Sequence, residues 1–178
     1  LVGENVGSIE NAFATGAVTG TTADGLGGLV GSMLADSVQA GSLRTVFATG
    51  NVSGVRSVGG LVGDVRASNA NPASITDAFA SGDVSASSPF FPGGAGGLVG
   101  TGFGLNITRA YATGRVAGAH PVIAGFVGYA DHNARVNVVA GFWDQEQTGQ
   151  ACACGNSDCL GSVTALNTGQ TRQAASFI

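Results

Sequence analysis

The residues best suited to catalysis in this 178-residue chain are few and scattered. Trp143, Asp144 and Glu146 place two carboxylates beside an aromatic ring, a combination found in sugar-processing sites. The two carboxylates share one short segment instead of flanking a cleft, which favours a turn beneath a capping Trp. His120 and His132 fall in separate predicted loops, without the second ligand or nucleophile motif that a site needs. We therefore expect no enzyme active site, no metal site and no cofactor.

Three cysteines lie close together near the C-terminus, at Cys152, Cys154 and Cys159. Their spacing contains no Cys-x-x-Cys pair and no nearby His, so it gives little support to a zinc site. Because two cysteines separated by one residue are too strained to bridge comfortably, the plausible disulfide joins Cys159 to Cys152 or to Cys154. Such a bond indicates an oxidising compartment and leaves one thiol free.

The composition excludes several classes of protein. Glycine supplies 31 residues, only 10% of residues are charged, and the seven cations are all Arg. An apolar content of 44% argues against intrinsic disorder, and glycine without a strict period of three excludes collagen. A net charge of -4 without a basic cluster argues against nucleic-acid binding, and no apolar run approaches the length of a membrane span.

The elements that would position any functional residue belong to an internal repeat. A nine-residue block occupies residues 12–20 (AFATGAVTG), 46–54, 78–86 and 110–118, with a decayed copy from Gly141. A second block, GGLVG, occupies residues 27–31, 59–63 and 96–100 and returns in altered form at 124–128. Short, glycine-punctuated β-type segments at a spacing of about 32 residues are typical of a solenoid. We predict an all-β parallel β-solenoid of about five coils over residues 1–142, closed by a C-terminal cap over 143–178.

Alternation within the first block predicts which side chains face solvent. One column holds Asn51, Asp83 and Arg115, and a column that accepts these residues must be exposed. Because strand side chains alternate, residues of the same parity also face outward. They comprise an aromatic column (Phe13, Phe47, Phe79, Tyr111) and a hydroxyl column (Thr15, Thr49, Ser81, Thr113). The alternative is a bulge at Gly16 and its equivalents, which would return the aromatic residues to the core.

Further expectations follow from the same stacking. In the second block we expect Leu29, Leu61, Leu98 and Phe126 to face inward, and the Val that follows each to be partly covered by a loop. Residues one repeat apart lie about 4.8 Å apart, which places Asp83 beside Arg115 and Asp77 beside Arg109. The insert at residues 87–94, with Phe90 and Phe91, predicts a second contact loop.

The two repeated blocks together resemble the GLUG-motif repeats of bacterial surface and secreted proteins. The resemblance covers nearly the whole chain, and the segment from Phe142 to Gln150 resembles the close of such arrays. It implies an extracellular location at the cell surface, as in large adhesins, and a structural role. The cysteine segment and the 87–94 insert depart from the pattern, and the resemblance supplies no catalytic residue.

Three classes of function are consistent with these features. The leading hypothesis is an adhesive or structural β-solenoid that binds by surface contact, through a homo-oligomer or head-to-tail filament, a carbohydrate, or a neighbouring cell surface. The second is binding to ice or another crystalline surface through the hydroxyl columns, which Asp83 and Arg115 interrupt. The third is a polysaccharide-processing β-helix, for which the sequence shows no groove of clustered carboxylates.

Overall fold

The computed structural model describes residues 2–22, 24–36, 38–131, 133, 135–156 and 159–173. Within these ranges the chain forms nineteen β-strands, one four-residue helix and one 3-10 turn at Gln170–Arg172. No helix in the described part is long and apolar enough to cross a membrane. The all-β class predicted from the repeat is confirmed, whereas the predicted loop residue His132 lies outside the described residues.

Each turn of the chain contributes four strands. The first turn holds β1 (Val2–Asn5), β2 (Ser8–Ala14), β3 (Val18–Thr19) and β4 (Leu26–Gly27). The second holds β5 (Val30–Leu34), β6 (Ser42–Ala48), β7 (Val52–Gly54) and β8 (Val58–Gly59). The third holds β9 (Val62–Arg66), β10 (Ala73–Ala80), β11 (Val84–Ala86) and β12 (Ala95–Gly96). The fourth holds β13 (Val99–Phe103), β14 (Leu105–Ala112), β15 (Val116–Gly118) and β16 (Ile123–Ala124), and β17 (Val127–Ala130), β18 (Val136–Asp144), α1 (Gln145–Thr148) and β19 (Cys159–Leu166) follow.

Equivalent strands of successive turns pair in parallel and build four sheets. Written in chain order, sheet A is β1-β5-β9-β13-β17, sheet B is β2-β6-β10-β14-β18-β19, sheet C is β3-β7-β11-β15 and sheet D is β4-β8-β12-β16. In sheet B, Phe47 pairs with Phe13 in the turn before it and with Phe79 in the turn after it. One sequence repeat is therefore one turn, and the parallel β-solenoid is as predicted, with about four turns where about five coils were expected.

The core runs through the inside of the turns. The residues predicted to face inward, Leu29, Leu61, Leu98 and Phe126, are at most 2% exposed. The valines that follow them, Val30, Val62, Val99 and Val127, are fully buried in the same apolar cluster, so the expectation of a covering loop is wrong. The physical reason is a sharp corner before each pair. A Cβ on Gly27 would lie 2.1 Å from the carbonyl oxygen of Val30, so only glycine permits this bend.

The phase of sheet B is set by one backbone conformation that recurs in every turn. Five non-glycine residues of this sheet adopt φ between 51° and 54°: Asn11, Thr45, Asp77, Arg109 and Ala140. A residue in the left-handed region interrupts strict alternation. As a result Ile75 and Ala78, three positions apart, are both buried, and Phe79 points outward.

The alternative of a phase-shifting bulge at the repeated glycines is wrong. Gly50, Gly82 and Gly114 are buried and lie under the peptide of the preceding turn. A Cβ on Gly82 would lie 2.0 Å from the carbonyl oxygen of Gly50. These glycines therefore allow two turns to approach closely.

The C-terminal part of the chain adds to the same sheet. Strand β18 continues past the predicted repeat boundary at residue 142 as far as Asp144, and β19 pairs with it in parallel. A disulfide joins Cys154 to Cys159, one of the two pairings predicted, and Cys152 is an exposed free thiol.

Candidate functional site

The aromatic column forms a continuous stack on the outer face of sheet B. The ring centroids of Phe13 and Phe47 are 5.0 Å apart, those of Phe47 and Phe79 are 4.8 Å apart, and those of Phe79 and Tyr111 are 5.0 Å apart. The planes of successive rings differ by 4° to 6°. We call this set of four rings the aromatic ladder. Its spacing equals the strand spacing of the sheet, because each turn contributes one ring.

The orientation of the rings decides what the aromatic ladder can contact. Phe13 is 64% exposed, whereas the other three rings are half-buried. Each inner ring has its two faces covered by its neighbours, so Phe47 and Phe79 present their edges to solvent. Burial raises the pKa of the Tyr111 hydroxyl, which is neutral at physiological pH. The ladder is an apolar ridge of ring edges with one phenol at its fourth position.

Two further columns flank the aromatic ladder. The predicted hydroxyl column lies two positions further along each turn: Thr15, Thr49 and Ser81 are exposed and Thr113 is half-buried. On the other side, the left-handed residues and the rings line a shallow depression of about 290 Å³. The face is therefore apolar along its centre and polar along both sides.

The two predicted charge pairs differ in kind. Arg109 donates to both carboxylate oxygens of Asp77, at 2.5 and 2.9 Å, and this hydrogen-bonded ion pair holds the pKa of Asp77 below its usual value. Asp83 instead accepts a hydrogen bond from the backbone N–H of Arg115, at 3.0 Å. The carboxyamide of Asn51 accepts the backbone N–H of Asp83 in the same way, so this column caps backbone groups between turns.

The predicted contact loop covers a pocket on the outer face of sheet A. The pocket measures about 330 Å³ and extends from the first turn to β17, and three aromatic rings line it: Phe91, Phe103 and Tyr129. Phe91 is 56% exposed and lines the pocket, whereas Phe90 is 72% exposed and does not line it. The loop thus contributes one ring to a pocket and one to the surface.

The polar part of this pocket is held by paired charges. Asp64 is 3% exposed, and its carboxylate accepts a 2.6 Å hydrogen bond from Arg66. Burial raises the pKa of Asp64, against the opposing effect of Arg66. At the rim Arg56 donates to both oxygens of Asp24, at 2.9 and 2.8 Å.

Sequence reasoning missed this pocket except for Phe91. Asp64, Thr101 and Tyr129 occupy one outward column of sheet A, which their shared parity could have shown. What the spacing could not show is that an irregular insert in the third turn folds over that column.

The carboxylates and histidine considered for catalysis have structural contacts. Asp144 is 1% exposed and accepts hydrogen bonds from the backbone N–H groups of Glu146 and Gln147, which caps α1. Glu146 accepts a hydrogen bond from the backbone N–H of Thr168. His120 is 3% exposed, and burial lowers its pKa. These groups are not arranged around a shared cleft.

Comparisons with known proteins give no match: no family model, no curated protein and no solved structure matches the chain. The resemblance to GLUG-motif repeats therefore stays a prediction that rests on the repeated residues alone.

Proposed function

We propose that this chain is an extracellular structural and adhesive β-solenoid that acts by surface contact, and that its contact surface is the aromatic ladder. The observation that carries the proposal is the continuous stack of four outward rings on a parallel sheet. Contiguous exposed apolar surface marks interaction sites, because covering it removes apolar area from water.

The partner that best fits the aromatic ladder is the ladder of a second copy. A sugar ring stacks on an exposed aromatic face, and the faces of Phe47 and Phe79 are already covered. Ring edges consist of apolar C–H groups, so packing one row of edges against another removes apolar area from water. The same rings project beside the hydroxyl column, so this face lacks the flat array of hydroxyls that binding to ice would use. Lateral pairing of solenoids is the contact we expect.

The surroundings of the aromatic ladder support an extracellular scaffold. The disulfide between Cys154 and Cys159 is typical of oxidising compartments. The stack of parallel sheets gives a rigid rod with the same contact repeated in each turn. The resemblance to GLUG-motif repeats agrees with this role.

The proposal is tested by adding charge beside the aromatic ladder. We expect the parent protein to self-associate with rising concentration in sedimentation velocity. The double substitution Thr49→Asp with Ser81→Asp should abolish this association, because both positions are exposed beside the rings. The matched control is Ser53→Asp with Ser85→Asp, which adds the same charge at exposed positions of sheet C.

Thermal melts separate a lost contact from a lost fold. Exposed substitutions change stability by about 0.5 kcal/mol or less, so all three proteins should melt alike. A parent protein that stays monomeric, or equal association of the two double variants, would contradict the proposal.

A further inference from the structure

The pocket beneath the 87–94 insert differs from the repeated surface in its construction. Its lining residues come from all four turns and from β17, starting with Asp24 in the first turn and ending with Tyr129 in β17. It lies on sheet A and the adjoining corners, whereas the aromatic ladder lies on sheet B. The two surfaces can therefore bind different partners independently.

The rings of the pocket are inclined to one another. Phe91 meets Tyr129 at a centroid distance of 5.3 Å and an angle of 71°, and Phe103 meets Tyr129 at 6.1 Å and 51°. None of these pairs is a parallel stack of the kind that covers both faces of the inner rings in the aromatic ladder. Tilted rings around a cavity leave aromatic surface on which an apolar face of a ligand can pack.

The polar lining provides hydrogen-bonding groups without a net charge. Asp64 pairs with Arg66 and Asp24 pairs with Arg56, so two carboxylates balance two guanidinium groups. The hydroxyls of Ser57 and Thr101 lie 2.9 Å apart. A pocket of this kind offers donors and acceptors to a ligand rich in hydroxyls and gives no electrostatic advantage to a polyanion.

We infer that this pocket binds a sugar residue of a neutral glycan. A pyranose ring combines an apolar face of C–H groups with a rim of hydroxyls, which matches aromatic walls combined with paired carboxylates and guanidinium groups. The volume of about 330 Å³ is at the lower end of the range for ligand pockets, so it holds one or two sugar rings. Phe91 forms the outer wall and packs on the sugar from the insert.

The test uses a pair of neighbouring phenylalanines. Saturation-transfer NMR is recorded with neutral oligosaccharides of glucose, galactose, mannose, xylose and N-acetylglucosamine, and with heparin and polygalacturonate as anionic probes. At least one neutral oligosaccharide should bind. Phe91→Ala should weaken that binding about tenfold, since it removes one aromatic wall. Phe90→Ala should leave it unchanged, because Phe90 does not line the pocket.

Three results would overturn the inference: no neutral oligosaccharide binds, only the anionic probes bind, or Phe91→Ala and Phe90→Ala behave alike. Both residues are exposed in an insert, so both variants should fold. The Thr49→Asp with Ser81→Asp variant should keep full sugar binding. Self-association therefore tests the aromatic ladder, and sugar binding tests the pocket, so either proposal can fail without the other.

Discussion

Replacing one glycine of the repeat by alanine tests how closely the turns of the solenoid approach one another. A Cβ at Gly82 would lie 2.0 Å from the carbonyl oxygen and 2.5 Å from the carbonyl carbon of Gly50 in the preceding turn. At the equivalent position in the first turn, Gly16, no atom lies within 4 Å of the added Cβ. Neither glycine has a left-handed φ, so alanine fits the backbone conformation at both positions. The two substitutions therefore differ in whether the added Cβ meets the backbone of a preceding turn.

The cost at Gly82 can be worked from its surroundings. To restore a contact of about 3 Å the two turns must separate locally by about 1 Å. Two backbone hydrogen bonds flank this point: Ser81 donates to Ala48 at 3.0 Å and Val52 donates to Asp83 at 2.8 Å. Losing both costs about 2 kcal/mol, and overpacking costs about 1–3 kcal/mol more. We expect Gly82→Ala to lower the free energy of unfolding by about 3–5 kcal/mol.

The matched change at Gly16 should act in the opposite direction. Because alanine restricts the unfolded chain and meets no atom here, Gly16→Ala should stabilise the protein by about 0.4–1 kcal/mol. Urea unfolding followed by far-ultraviolet circular dichroism measures both variants against the parent protein. Two results would show that close approach does not explain this glycine column. One is a free energy of unfolding for Gly82→Ala within about 0.5 kcal/mol of the parent protein's, and the other is a Gly16→Ala variant destabilised as much as Gly82→Ala.

Two further predictions concern the core and a buried histidine. Leu61→Asp should unfold the protein, because it puts a carboxylate in a fully buried column. Asp83→Ala should lower the free energy of unfolding by only about 1 kcal/mol, because it removes one exposed hydrogen bond. Similar urea midpoints for the two variants would mean that the inside and outside of the turn are wrongly assigned. Burial holds the pKa of His120 below its ordinary value, so as the pH falls the unfolded chain binds the proton before the folded protein does. The free energy of unfolding should therefore decrease as the pH drops below about 6.5. Subtracting the urea unfolding of His120→Asn at each pH isolates this effect, and a difference that does not change with pH would refute it.

The sequence predicts the solenoid well because the same column recurs at one spacing. One column must face solvent because it holds Asn51, Asp83 and Arg115. Strand alternation from that column correctly predicted that Phe47 and Phe79 face outward. The interruption of alternation before the aromatic residues could not be predicted in the same way. Asparagine, threonine, aspartate, arginine and alanine share no local preference for a left-handed conformation, so the turn imposes it.

The pocket was beyond prediction for a different reason. It depends on the direction taken by one irregular insert and on side chains from separate turns. Phe103 and Tyr129 belong to neighbouring strands and line it only because the insert folds towards them. The repeat spacing carries no information about such a loop.

The corner between sheets C and D shows how this fold can be re-engineered. The connecting segments there are residues 55–57, 87–94 and 119–122, so their lengths differ while the strands on either side stay in register. The longest of them, 87–94, shows that extra residues are accommodated here without shifting the neighbouring strands, so this corner is a site where foreign segments can be inserted. Of these segments, 87–94 covers the pocket, so replacing it would change the cover while Asp64, Arg66 and Thr101 stay on the strands of sheet A. The repeated strands thus form a constant scaffold, and the loop at this corner can be exchanged to change what the pocket binds.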